Sequence, residues 1–189
     1  MPRAGSSRSD ALVRGSALSS STTGLAERRL RWFNELSHDE AVGALLIICH
    51  SRRWAEQVAD LRPFDDADAL YNAADEVWIS LRPEDWLEAL DGHPRIGERG
   101  GASAESSRME QAGVSRADAD VQVALAAGNR EYEDRFGHIF LISAADRSAE
   151  EILANLRSRL DNDPDTEVKV AAEQHRRITR LRLERLLDL

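Results

Sequence analysis

The side chain best placed for acid–base chemistry is a histidine in the segment DGHPRIGERGG, which runs from Asp91 to Gly101. Gly92 is typical of a helix end, and Pro94 favours an extended backbone at His93 directly before it. The partial negative charge at a helix end favours the imidazolium form, so we expect the pKa of His93 to lie above its ordinary value of ~6.5. Such a group would act as a general acid near neutral pH. The alternative is a turn histidine whose hydrogen bonds are purely structural.

A second polar group follows in SSRMEQAG, residues 106–113. On a helix Ser107, Glu110 and Gln111 share one face, because neighbours on that face recur every three or four residues. A hydroxyl, a carboxylate and an amide together suit a polar substrate rich in heteroatoms. The alternative for Ser107 and Glu110 is a capping box, a structural motif in which Gln111 has no part. The segment between, ERGGASAES, contains adjacent glycines and predicts a mobile loop able to close over a site.

The last predicted helix carries an arginine on its apolar face. His175 and Arg182 fall on the helical stripe formed by Val168, Ala171, Ala172, Ile178 and Leu186. A buried arginine keeps its charge and needs an anion or several acceptors. Arg182 is therefore either structural, in an ion pair or with its head extended to solvent, or it binds a ligand carboxylate in a cavity.

Other site chemistries find no support in the sequence. The five histidines lack a metal-ligand spacing such as His-Glu-x-x-His, and the single cysteine, Cys49, permits no cysteine cluster. No glycine-rich loop follows a predicted strand, and no Gly-x-Ser-x-Gly elbow occurs. We therefore expect neither a metal nor a cofactor, and acid–base chemistry remains.

Composition limits the possible binding partners and the expected cellular compartment. The chain has 189 residues and a formal net charge of -9, so we expect no nucleic acid as its partner. Its most apolar run, AVGALLIIC, is too short to span a bilayer, so no membrane association is expected. A single cysteine suits a reducing, cytoplasmic setting, as does an ending in LLDL rather than a peroxisomal Ser-Lys-Leu.

The elements that must position these side chains are helices. Capping boxes mark two helix starts, at Ser37 and Ser148. Further helix starts are predicted at Pro83, Ser115 and Pro164, and helix ends at Gly92 and Gly137. The best strand candidate is HIFLIS, His138 to Ser143. We predict an all-α fold, a compact single-domain bundle of about seven to nine helices. It would cover residues 25–189, after a disordered tail over residues 1–24.

Five segments in order give the chain a family resemblance: RWFNELSHDEAVGALLIICHSRRWAEQVADLRPF, WLEALDGHPRIGE, SSRMEQAGV, NREYEDRFGHIFLI and RITRLRLERL. Together they resemble the 2-oxo-4-hydroxy-4-carboxy-5-ureidoimidazoline (OHCU) decarboxylase family of urate breakdown, from Leu25 to Leu189. The resemblance implies an all-α enzyme that needs no cofactor and forms homodimers. The implied reaction converts a small anionic substrate, OHCU, to (S)-allantoin with loss of carbon dioxide.

The same resemblance assigns roles to residues. His93 corresponds to the catalytic histidine and Glu110 to its acidic partner. The substrate-binding positions are Pro94, Ser107, Gln111, Ile139 and Arg182. Arg177, Arg180 and Arg185 lie near Arg182, but the apolar stripe independently favours Arg182. The chain departs from the family at FGHIF, where Phe-Gly-Phe-Pro-Phe is common, so the backbone contacts around Ile139 are open.

Two alternatives remain open at this point. One is an enzyme of the same fold that acts on another ureido or imidazolone acid, which the departure at FGHIF would fit. The other is a non-enzymatic helical module that binds a protein partner. In that module we expect an exposed apolar helix face, with His93 and Glu110 pointing apart.

Overall fold

The computed structural model describes residues 24–96, 118–145 and 147–188. Eight helices lie within them: α1 (24–35), α2 (His38–Cys49), α3 (Arg52–Asp60), α4 (Ala67–Ser80), α5 (Pro83–Asp91), α6 (Ala119–Phe136), α7 (Ala149–Arg159) and α8 (Pro164–Asp188). The prediction of an all-α bundle of about seven to nine helices is confirmed. The predicted tail lies outside the described residues except for Gly24, which is the first residue of α1.

Local capping chemistry sets the ends of several helices. At the start of α2 the hydroxyl of Ser37 accepts from the N–H of Glu40, and the Glu40 carboxylate accepts from the N–H of Ser37. A second capping box precedes α7, as predicted. Gly137 ends α6 with φ 74°, a left-handed conformation that favours glycine. α6 begins at Ala119 with Asp118 as its N-cap, and Ser115, where the start was predicted, lies outside the described residues.

The strand prediction for residues 138–143 is wrong. The segment is irregular, with Phe140 and Ile142 buried in one apolar cluster and Leu141 in another. Packing on both sides explains the strand-like run of apolar residues. The carbonyl of Leu141 accepts from Arg159 at 2.8 Å, so a side chain rather than a neighbouring strand satisfies it.

Among the described residues, the core has two main apolar clusters and a smaller one that lies against α8. The first cluster is formed by α1 to α5 together with α8, and the second lies between α6, α7 and residues 140–144. The small cluster consists of Leu90, Leu141, Ala171 and Ile178, with Ile139 packed against it. It joins the end of α5 to α8, which is where the polar site described below is found. Among the described residues, no helix has both the length and the apolar character needed to cross a bilayer.

A buried ion pair fastens α7 to the first turn of α8. Nη2 of Arg159 lies 2.5 Å from Oε1 of Glu167, and the two side chains are 6% and 0% exposed. The hydroxyl of Tyr132 on α6 donates to the same carboxylate, and Asn162 donates to it at 2.6 Å. Buried charges require this many partners because they have lost their water. Through Arg159 the network also holds the irregular segment against α8.

Candidate active site

Three parts of the chain that are distant in sequence meet at one buried polar site. The end of α2, the turn after α5 and the middle of α8 contribute Cys49, His50, Gly92, His93, His175, Thr179 and Arg182. Each part is placed by packing already described, since α2, α5 and α8 all contact one another or share a cluster.

His93 follows α5 directly and is held in contact with a second histidine. Gly92 caps α5 as predicted, and the N–H of His93 donates to the carbonyl of Leu90 at 3.0 Å. The His93 residue is 8% exposed. Its Nε2 lies 3.1 Å from Nε2 of His175, with the ring planes at 76°. One ring must donate the proton in this contact and the other must accept it.

The ring of His175 is held in place by contacts with Trp78 and Thr179. The residue is fully buried and its ring stacks on Trp78, with centroids 4.6 Å apart and planes within 9°. Its Nδ1 lies 3.1 Å from Oγ1 of Thr179, one helical turn further along α8. Trp78 is fixed in turn by a hydrogen bond from Nε1 to the carbonyl of Ala172 at 3.1 Å. The imidazole of His175 is therefore constrained on its face and at both nitrogens.

Arg182 brings a positive charge into the same site. The residue is 5% exposed, so the prediction that it lies on the buried face of the last helix is confirmed. Its Nη1 donates to the carbonyl of Ile48 at 3.0 Å, in the last turn of α2 where carbonyls carry partial negative charge. Burial is the main cause that lowers the pKa of His50, His93 and His175, and the charge of Arg182 lowers each of these pKa values further. The site is thus locally positive in a chain whose net charge is -9.

His50 stands on the other side of His93 in an uncommon backbone conformation. It ends α2 with φ 62°, and its ring meets the ring of His93 edge-on at 5.7 Å. A Cβ atom on Gly92 would lie only 2.3 Å from Cγ of His50. Gly92 has an ordinary helical φ of -73°. It is required here for space rather than for its backbone freedom, because it lets the two histidine rings lie side by side.

The pKa of His93 is shifted in the direction opposite to the sequence-based expectation. It lies well below 6.5, first because burial disfavours the imidazolium and then because of the nearby His175, Arg182 and His50. Burial likewise lowers the pKa of His175 to about 3. The prediction of a raised pKa is wrong because loss of solvent outweighs the field of the helix end. At neutral pH His93 is a neutral imidazole, able to accept a proton.

The turn after His93 is anchored to α6. The guanidinium of Arg95 makes two hydrogen bonds to the carboxylate of Glu133, at 2.5 and 2.7 Å. One turn earlier on α6, Nδ2 of Asn129 donates to the carbonyl of Ile96 at 3.3 Å. These contacts hold the backbone on the C-terminal side of His93, while α5 holds it on the N-terminal side.

The remaining predicted site residues divide into two groups. Ser107, Glu110 and Gln111 lie outside the described residues, so their approach to His93 stays a prediction. Pro94 and Ile139 are described and half-buried. Ile139 packs on the small cluster that contains Leu90, close in sequence to His93, and its carbonyl lies 3.1 Å from Nδ1 of His138.

Two histidines of this site were not predicted as site residues. His175 gave a signal, because it lies two helical turns before Arg182 on the same apolar stripe. His50 gave a weaker one. It is the single residue between the end of α2 and Ser51, the N-cap of α3, so the chain must reverse direction there.

Fold and site together define a class of protein: a helical bundle with a buried imidazole pair beside a guanidinium, suited to proton transfer next to an anion. No group of three or more His, Cys, Asp or Glu side chains in the described segments is arranged to hold a metal. The family model described as OHCU decarboxylase matches residues 34–184. The chain belongs to the OHCU decarboxylase family.

Individual relatives agree with this assignment. The Uric acid degradation bifunctional protein TTL of Arabidopsis thaliana is 34% identical over 148 residues, 75% of this chain and 46% of that protein. The 2-oxo-4-hydroxy-4-carboxy-5-ureidoimidazoline decarboxylase of Haloferax volcanii is 30% identical over 162 residues, 83% of this chain and 95% of that protein. A crystal structure of OHCU decarboxylase in the presence of (S)-allantoin has a TM-score of 0.69 and 29% identity, and covers 76% of this chain and 96% of that one. The chain spans less than half the length of the bifunctional relative.

Proposed function

We propose that this chain decarboxylates OHCU to (S)-allantoin, without a cofactor, in the oxidation of urate. One observation carries the proposal. His93, which is neutral at neutral pH, is buried against His175 in a site that Arg182 makes positive. Family membership supplies the substrate class, and the site residues supply the chemistry that such a substrate requires.

Arg182 is proposed to bind the substrate carboxylate. A guanidinium offers paired N–H donors that match a carboxylate, and burial strengthens the attraction. The breaking C–C bond must be held in line with the ring π-system, so the carboxylate has to be oriented as well as bound. The hydrogen bond from Nη1 to Ile48 fixes the guanidinium from the protein side.

His93 is proposed to act as a base. As carbon dioxide leaves, its bonding electron pair passes into the C=N unit of the ring, and the hydroxyl oxygen becomes a carbonyl oxygen by losing its proton. The carbon and the nitrogen of that unit each gain one proton, of which the hydroxyl supplies one and solvent the other. A neutral imidazole can accept the hydroxyl proton and become an imidazolium that Glu110 would stabilise. Ser107, Gln111, Pro94 and the backbone at Ile139 are proposed to hold the ureido and ring groups.

The test is the His93→Ala protein, assayed on freshly made OHCU by the decay of its optical signal, with chiral analysis of the allantoin. We expect the rate to fall by about 10²–10⁴-fold, the usual contribution of a general acid or base. His38→Ala is the matched control, because His38 is exposed and pairs with the exposed carboxylates of Asp39 and Asp60. A folded His93→Ala protein with the parent rate would refute the proposal.

A second candidate is an enzyme of this fold that acts on a related ureido or imidazolone acid. It is favoured by His138, which is 6% exposed and has its Nδ1 against the Ile139 carbonyl, at a position assigned to substrate binding. Competition between OHCU and such acids decides between the candidates: the second requires a kcat/KM for the competing acid above that for OHCU.

We also propose a homodimer in the cytoplasm. Family resemblance supports the dimer, and the buried free thiol of Cys49 suits a reducing compartment. Light scattering coupled to size exclusion measures the mass directly, and a mass near 21.0 kDa would exclude the dimer.

A further inference from the structure

The two ring nitrogens of His93 have different surroundings. Nε2 is occupied by the contact with Nε2 of His175 at 3.1 Å. No described residue makes a hydrogen bond to Nδ1 of His93. Nδ1 is therefore the nitrogen that remains for proton exchange with a bound molecule.

The neighbours of His175 indicate which way the shared proton points. Nδ1 of His175 lies 3.1 Å from Oγ1 of Thr179, whose hydroxyl faces the buried thiol of Cys49, and the backbone carbonyls of Cys49 and Ala89 are further acceptors beside the ring. A hydroxyl that donates to sulfur keeps its lone pairs for Nδ1–H of His175. Nε2 of His175 then has no proton and accepts, so Nε2 of His93 donates and Nδ1 of His93 has a free lone pair.

We propose that His175 is a positioning residue, which holds His93 in the Nε2–H tautomer and so presents a basic Nδ1 to the substrate. The part of this proposal that concerns the substrate rests on the proposed function, whereas the tautomer of His93 does not depend on it. His175 itself is fully buried and stacked on Trp78, so it acts through His93. The two histidines are 82 residues apart in sequence: His93 lies in the turn directly after α5, and His175 lies in α8.

The direct test is ¹⁵N NMR of imidazole-labelled full-length protein. We expect the Nε2 resonance of His93 to be that of a protonated nitrogen, coupled through the hydrogen bond to an unprotonated Nε2 of His175. A proton on Nδ1 of His93, or no coupling between the two Nε2 atoms, would overturn the proposal. This measurement needs no substrate, so it stands even if OHCU is not turned over.

Variants add a functional readout. His175→Phe keeps a ring to stack on Trp78 but has no acceptor, while His175→Gln restores an acceptor oxygen near the position of Nε2. We expect His175→Phe to lose the coupling and to lower kcat about tenfold or more with KM changed less than about twofold, and His175→Gln to recover most of kcat. His38→Phe is the control, since His38 is exposed and remote from the site.

Thr179→Val covers the case in which His175→Phe does not fold, because it keeps the His175 imidazole and replaces the hydroxyl beside its Nδ1 by a methyl group. We expect it to lower both the Nε2–H population of His93 and kcat. Equal kcat in parent, His175→Phe and Thr179→Val would refute a positioning role. If the parent itself does not act on OHCU, the proposed function fails while the tautomer is still decided by the spectrum.

Discussion

The close approach of Gly92 to His50 makes a quantitative prediction about Gly92→Ala. The added methyl would lie 2.3 Å from Cγ, 2.5 Å from Cβ and 2.7 Å from Cδ2 of His50. These are the root of the side chain rather than a flexible end, and the backbone there is held by the bond from the His50 N–H to the Leu46 carbonyl at 3.0 Å. The ring cannot move away without shifting either α2 or His93.

Overpacking of this kind costs about 1–3 kcal/mol in free energy of unfolding. For a chain of this size, each kcal/mol lowers Tm by about 2–4 °C. Gly43→Ala is the matched control: Gly43 is exposed within α2 with nothing within 4 Å of an added Cβ, so alanine should stabilise by about 1 kcal/mol. Denaturant unfolding and calorimetry measure both changes, and decarboxylase assays should show a loss for Gly92→Ala alone.

A double-mutant cycle with His50→Gly isolates the contact. Removing the imidazole takes away the atoms that Gly92→Ala would strike, so the second substitution should cost less in that background, with a coupling of about 0.5–3 kcal/mol. Additive effects, or a Gly92→Ala protein as stable and active as the parent, would show that Gly92 is not needed for space.

Three further predictions concern buried charge. Glu167→Gln leaves the Arg159 guanidinium buried without its anion and should cost about 3–5 kcal/mol in urea unfolding, whereas Glu56→Gln at the exposed Arg52–Glu56 pair of α3 should cost at most about 0.5 kcal/mol. Because the pKa of His93 is lowered and its neutral form is the one proposed to act as a base, kcat/KM should stay constant as pH falls from 8 to 6.5 and decline only well below pH 6.5. If the decline in kcat/KM had its midpoint at or above pH 6.5, that result would contradict this prediction. The unfolded chain also binds protons that buried His93 and His175 do not, so stability should fall below pH 6.5 by up to about 1.4 kcal/mol per pH unit for each, and His175→Phe should flatten that slope.

Much of the fold could be predicted from local sequence. The capping boxes at Ser37 and Ser148, and the glycines at the ends of α5 and α6, occur as predicted because each depends on hydrogen bonds and backbone conformations within a few residues. The helical stripe that placed Arg182 on a buried face is equally local, since it needs only the helical repeat. The prediction of a strand at residues 138–143 failed because an apolar run does not show which groups will form hydrogen bonds with its backbone.

Local sequence was sufficient to predict the helices, the position of His93 just beyond one of them, and the buried face that carries Arg182. The effects of these side chains on one another depend on contacts between distant parts of the chain. The tertiary structure brings His175 within 3.1 Å of His93, places His50 against Gly92, and removes both imidazoles of the pair from water. The field of a helix end can be predicted from neighbouring residues, whereas the desolvation of an imidazole depends on how much of the chain folds over it. That larger effect lowers the pKa of His93 where the local sequence predicted a raised one.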